Sequence, residues 1–215
     1  MKVTRNFTDK SISNPGLLQL NNINVATLGQ LNSLLQAAGV TISYGGVDDL
    51  GKRLIVSEAD AVDWTLAANG TLFGGMYQAV QVAATAAAGN VAVGKVAFFN
   101  NAAGSAAGFV VTDESVADNN GEVAGIFINT ITPGNFGFIQ VAGKVNVLLK
   151  NPITNGAPAV GDALFSGGGS GTVDDLTLAS VFSTAFLNRY LGFAIALPAS
   201  NTTIAMQLRP IFTRF

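Results

Sequence analysis

Apolar positions along the chain change rhythm near residue 71. Beyond it they recur at every second residue, in short runs broken by glycine, asparagine or aspartate, which is the spacing of strands with side chains pointing alternately to two faces. The runs cover 76–82, 93–99, 109–112, 123–129, 136–141, 145–149, 163–165, 190–195 and 203–208. The clearest is PGNFGFIQVAGKVNVLL at 133–149, read as two strands meeting at Gly143, where a bulge or tight bend is accessible to a residue without a Cβ. In its second half Val145, Val147 and Leu149 share a buried face, while Lys144, Asn146 and Leu148 share a partly wet one. Asn119-Asn120-Gly121, Pro133-Gly134-Asn135 and Asn155-Gly156 have the chemistry of strand reversals.

Ahead of residue 71 the pattern differs. Residues 1–24 keep no period and read as an extended arm. Thr27 and Gln30 then have the spacing of a capping box, Leu28, Leu31, Leu34 and Leu35 follow on one helical face, and Gly39 closes the helix. Val40, Ile42 and Tyr44 alternate as a short strand. Ser57 with Asp60 suits the cap of a second short helix toward Trp64, where the apolar positions fit a strand almost as well, and 174–188 suits another helix across the end of the β-structure. The expected fold is mainly β: an antiparallel β-barrel or sandwich with an extended N-terminal arm and one or two short helices. Two regions follow, an arm and helical segment at 1–70 and a β-rich domain at 71–215.

Composition narrows the function. The chain has 215 residues, no Cys and no His, which removes disulfides, thiolate chemistry, and the usual general base and metal ligand. Charged residues make up 11% of the chain, against about 25–35% on the surface of a typical soluble domain. No apolar run reaches the roughly 20 residues of a spanning helix, so the excess apolar surface is expected to meet protein rather than membrane. A net charge of −2 without a basic stripe argues against nucleic acid. The first residues have no apolar core behind their basic ones and do not read as an export signal.

Few groups are candidates for chemistry. Gly167-Gly168-Gly169-Ser170-Gly171 lacks the Lys and hydroxyl of a phosphate loop and reads as a hairpin turn. Asp113, Glu114 and Asp118, with Glu122 beyond, gather acid in one loop; a carboxylate hydrolase would use them, and a solvated turn is the plainer reading. Asp48-Asp49 ahead of Lys52-Arg53 reads as a solvent-facing surface, and Phe98-Phe99 as core. Trp64, Tyr77 and Tyr190 are the aromatics a carbohydrate-binding module would expose. Catalytic residues, metals and cofactors are expected to be none. In the terminal LRPIFTRF, Ile211, Phe212 and Phe215 suggest docking on a neighbour or on the domain itself.

Several segments together resemble the decoration and minor structural proteins on the heads of tailed double-stranded-DNA bacteriophages. They are the Ala/Gly/Val-rich opening at 77–94, the acidic turn at 111–116, GNFGFIQVAGKV at 134–145, Pro158-Ala159-Val160-Gly161-Asp162-Ala163-Leu164, Arg189-Tyr190-Leu191-Gly192-Phe193-Ala194, and Ile204-Ala205-Met206-Gln207-Leu208. The resemblance spans about residues 71 to 209 and rests on a texture of small β-forming residues. It implies a compact β-rich decoration domain, often trimeric, on the capsid exterior in the virion, binding the major capsid protein and its own copies and stabilising the shell. Head fibre proteins are near neighbours, so a fibre base or receptor-binding module is the alternative. The expected capsid or oligomer contacts are Val3, Phe7 and Ile12 of the arm, Leu28, Leu31 and Leu35 of the helix, and Phe212 and Phe215 of the tail.

Overall fold

The structure is a computed structural model that describes residues 18–20, 23–25, 53–56, 65–66, 70–71, 74–100, 109–113, 119–128, 130–151, 153, 156–167, 171–175, 189–196 and 203–209. The helix expected from Thr27 to Gly39, the strand through Ile42 and the short helix toward Trp64 lie outside them. Among the described residues the fold is mainly β, as expected, and its helical content is a single 3-10 turn, Ala88–Asn90.

In chain order the strands are β1 (Leu18–Leu20), β2 (Ile23–Val25), β3 (Arg53–Val56), β4 (Thr65–Leu66), β5 (Gly70–Thr71), β6 (Gly75–Val82), β7 (Val96–Asn100), β8 (Val110–Thr112), β9 (Asn119–Phe127), β10 (Phe136–Leu148), β11 (Ala163–Ser166), β12 (Val173–Asp175), β13 (Tyr190–Ala194) and β14 (Thr203–Leu208). Ten of them form one sheet, in the order β12-β11-β13-β14-β10-β9-β7-β8-β6-β3. Its described ladders are antiparallel except β6–β8, where Gln81 and Val82 run parallel to Val110 and Val111.

β10 organises this sheet. On one edge it pairs with β6, from Phe136↔Gln81 to Gly143↔Gly75. On the other it pairs first with β9, at Ile139↔Phe127 and Gln140↔Ile126, and then with β14, from Gly143↔Leu208 to Leu148↔Thr203. The pairings therefore return on themselves twice. One circuit runs β10-β9-β7-β8-β6 and back to β10. The other runs β10-β14-β13-β11-β12 and closes where Leu149, the residue after β10, bridges Val173 in parallel and Lys150 N–H donates to Val173 O at 2.8 Å. An ion pair between half-exposed Lys150 and buried Asp174, Nζ to Oδ2 at 3.0 Å, fastens that closure. Closed circuits satisfy the N–H and C=O groups that an open edge would leave bare.

One core serves both circuits. Val80, Val96, Phe98, Ile126 and Ile139 from the first are continuous with Val145, Val147, Leu164, Val173, Ile204, Met206 and Leu208 from the second. The expected alternation holds in the second half of β10, where Val145, Val147 and Leu149 are buried and Lys144, Asn146 and Leu148 are half-exposed. In the first half Gly137 through Val141 are all buried, because Tyr77, Ala79 and Phe138 fill a second covered face.

Several expectations are corrected. The segment 136–149 is one strand that bends, not two, because its pairing with β6 shifts register between Gln140 and Ala142 and continues through Gly143. Gly143 has φ +102°, and a Cβ there would lie 2.6 Å from Gly74 O and 2.7 Å from Gly75 Cα. The Gln140 side chain stitches the bend, its Nε2 donating to Ala142 O at 3.1 Å and Lys144 O at 2.8 Å. Asn119-Asn120-Gly121 opens β9 instead of reversing the chain, since Asn119 pairs with Asn100 of β7. Asp174 belongs to β12 and not to a helix; 176–188 lie outside the described residues. Part of the arm is paired, as β1 and β2 form an antiparallel ladder, Leu18↔Val25 to Leu20↔Ile23. Arg53 opens β3 half-buried, donating from Nε to Gln78 Oε1 at 3.1 Å, because this edge strand starts upstream of the change in sequence texture.

Other readings hold. Thr132 O accepts the Asn135 N–H at 3.0 Å, which makes Pro133-Gly134 a tight turn into β10. The glycine run joins β11 to β12 as a hairpin, with Gly167 N–H donating to Thr172 O at 2.6 Å, and Phe98 and Phe99 are core.

Gly143→Ala is expected to lower unfolding stability by about 2–4 kcal/mol, combining the left-handed backbone cost with steric overlap. Gly156→Ala separates the two effects: Gly156 has φ +97° but open space around its Cβ position, so about 1–2 kcal/mol is expected there. Denaturant midpoints of the two variants check this; equal losses would contradict the close approach at Gly143.

Candidate functional site

Asp113 is the one acid of the 113–118 cluster within the described residues; Glu114 and Asp118 lie outside them. It follows β8 directly and is fully buried. Its Oδ1 accepts the Ala87 N–H at 3.0 Å and its Oδ2 accepts Asn90 Nδ2 at 2.7 Å. Ala87 precedes the 3-10 turn, so the carboxylate holds a turn N-terminus whose N–H groups have no helical partner of their own. The solvated-turn reading therefore fails for Asp113, because β8 carries its carboxylate beneath the turn instead of out to water. The pair is extended by Lys95 Nζ, which donates to Asn90 Oδ1 at 3.0 Å. Among the described residues no three His, Cys, Asp or Glu side chains come together as metal ligands.

The aromatic candidates separate by burial. Tyr77 is 0% exposed and lies on the covered face of β6, so it cannot present its ring to a sugar. Tyr190 is half-buried, with Phe165 at 5.4 Å between ring centroids and the Arg209 guanidinium 5.2 Å above its ring. A cation already occupies that ring face. Trp64 lies outside the described residues, as do the expected contacts Val3, Phe7, Ile12, Leu28, Leu31, Leu35, Phe212 and Phe215.

A different apolar feature reaches solvent. Val160 is 61% exposed and Phe193 44%, and they are the large hydrophobics most open to water among the described residues. They belong to one piece of backbone. Asp162 N–H donates to Ala159 O at 3.1 Å, closing a turn around Val160-Gly161, and Ala159 N–H donates back to Asp162 Oδ2 at 2.7 Å. The turn is buckled to β13 by Gly161 N–H to Ala194 O at 2.8 Å and Ala194 N–H to Asp162 O at 2.9 Å, beside the pair Ala163↔Phe193. The backbone carrying these two apolar side chains, called the apolar knob below, is thus fixed before anything meets it, which reduces the ordering cost of association.

Phe193 is outside for a reason that period-two reading does not capture. Strict alternation would put Leu191 and Phe193 on one face. The β11–β13 ladder instead passes from Leu164↔Gly192 to Phe165↔Tyr190, leaving Leu191 as an extra residue. That bulge turns Leu191 inward with Ala194 and leaves Phe193 facing water. Gly192 between two large apolar residues is the sequence signal for it.

No protein-family model and no curated protein matches the chain. Among solved structures it is similar to the crystal structure of the head fiber gp8.5 N base in bacteriophage phi29, at 13% identity and a TM-score of 0.38, over 62% of this chain and 92% of that one. A likeness at that level carries no function across.

Asp113→Ala is expected to cost about 2–3 kcal/mol, since it strips a charged acceptor from buried donors. Tyr190→Ala should cost less, because its ring is half-exposed. Chemical denaturation of both variants tests the order; an Asp113 variant as stable as the parent would remove its structural role.

Proposed function

We propose that this protein is a non-enzymatic structural component of a phage head, seated on the shell exterior and stabilising it through apolar contact with the major capsid protein and with its own copies. The observation that carries the reading is the exposure of Val160 and Phe193, on a turn and strand tied together by hydrogen bonds, in a chain with only 11% charged residues. The sequence resemblance to head decoration proteins, which includes both segments bearing these residues, supports it further.

The physics is additive burial. Each Å² of apolar surface removed from water contributes about 25 cal/mol before ordering costs, so a small patch alone binds weakly. Attachment of one assembly at several equivalent lattice positions turns weak single contacts into durable ones. A trimer would present three such knobs. The arm and tail residues expected to make contacts would add area around them. A glycan-binding module is less well supported, since Tyr77 is buried and the Tyr190 ring is covered by Arg209.

Purified protein mixed with expanded and unexpanded shells of its own phage should cosediment with the expanded form and raise the shell melting temperature. Phe193→Asp should leave the protein's own stability within about 0.5 kcal/mol, as for exposed sites generally, yet weaken shell binding at least tenfold. Absence of binding to either shell form would discard the reading, and undiminished binding by Phe193→Asp would remove the knob from it.

A further inference from the structure

The Lys95, Asn90 and Asp113 side chains stand in a row that hydrogen-bond chemistry alone orders. Lys95 Nζ is a pure donor and sits 3.0 Å from Asn90 Oδ1; Asp113 Oδ2 sits 2.7 Å from Asn90 Nδ2. The Asn90 amide therefore presents its carbonyl to an amine and its NH2 to a buried carboxylate. Both backbones are anchored. Asn90 N–H donates to Ala87 O at 2.8 Å in the 3-10 turn, and Lys95 is fixed by its own N–H to Ala92 O at 3.1 Å and by Phe127 N–H to its carbonyl at 2.9 Å. Val91 and Val96 beside them are fully buried.

The geometry points to a self-catalysed isopeptide bond between Lys95 and Asn90, with Asp113 as the proton-transferring group. Lys95 Nζ is held 3.0 Å from Asn90 Oδ1, the atom bonded to the carbon it would attack, and an amine positioned on a rigid frame reacts as though at very high effective concentration. The steps balance without any co-reactant. Lys95 gives one proton to solvent, and the Nζ lone pair attacks Asn90 Cγ, forming the C–N bond as the carbonyl pair moves onto Oδ1. Collapse of this intermediate re-forms the carbonyl and breaks the Cγ–Nδ2 bond. Asp113 accepts the second Nζ proton and delivers it to Nδ2, the atom it already contacts, which leaves as ammonia. Ammonia takes up the solvent proton as ammonium. The product is a secondary amide joining the 3-10 turn to the start of β7, with the Lys95 charge gone. Asp113 is suited to the work because β8 delivers it, fully buried, to the leaving-group side of the amide.

Intact-mass measurement of the folded full-length protein, followed by trypsin digestion after denaturation, tests this directly. The chain has no Lys or Arg between Arg53 and Lys95 or between Lys95 and Lys144. The bonded protein should be lighter than its sequence by one ammonia and yield an uncut 54–144 peptide, because trypsin does not cleave after an acylated lysine. Lys95→Arg, at a half-exposed position, should restore the full sequence mass, and Asp113→Ala, checked for folding by circular dichroism, should slow bond formation at least tenfold. A protein of full sequence mass that trypsin cuts after Lys95 would overturn the proposal. So would an ammonia loss that survives Lys95→Arg, since that is a cyclised asparagine, or a folded Asp113→Ala protein that bonds as fast as the parent.

Discussion

Backbone hydrogen bonding along β10 is the constraint on which the rest of the fold depends. A strand has two edges, and this one uses both: β6 along one, β9 and then β14 along the other. Serving three partners requires that the strand change direction part-way, because β9 and β14 lie along successive stretches of the same edge. The bend falls at 140–143, where the ladder to β6 skips a residue, Gly143 takes φ +102°, and the Gln140 amide bonds two carbonyls beyond the bulge. A Cβ at Gly143 would push β6 away and open both circuits at their shared member.

The packing follows from that sharing. Side chains of both circuits merge into one apolar cluster, so neither half has a core of its own. Strands such as β12, with three residues, are too short to hold without it. The Lys150–Asp174 pair is placed where the second circuit closes, one residue beyond the Leu149–Val173 bridge. It adds a side-chain contact to the backbone bridge and the Lys150 N–H to Val173 O bond that already join β12 to the residues after β10, and because Lys150 keeps contact with water, only Asp174 bears a full desolvation cost.

Much of this architecture is legible from residue order, and the limits have physical causes. β14 is read to the residue, because Ile204, Met206 and Leu208 alternate with half-exposed neighbours. The Pro133-Gly134 reversal is legible from turn chemistry. By contrast, β3 (Arg-Leu-Ile-Val) and β12 (Val-Asp-Asp) show no alternation of apolar and polar residues, and Asn119-Asn120-Gly121 has turn residues that long-range pairing with β7 draws into a strand. Pairing partners are not written locally, so neither the parallel β6–β8 contact nor the double role of β10 could be read. The candidate sites behave likewise. Asp113 is visible as an acid, but its burial under the 87–90 turn depends on β8 lying beside β6 and β7. Period-two alternation puts Phe193 on the face of Leu191, and only the bulge at Leu191 separates them.

The surface role proposed above draws on this construction, since the Ala159–Asp162 turn is held by hydrogen bonds to β13 within the same chain. Site-resolved native-state hydrogen exchange of the β10 amides is the most direct test of the central claim. If β10 is the shared member, amides bonded to β6 and amides bonded to β14 should exchange with one common opening free energy, equal to that of global unfolding. Exchange of either half at a free energy several kcal/mol below the other would contradict it, showing two circuits that open independently.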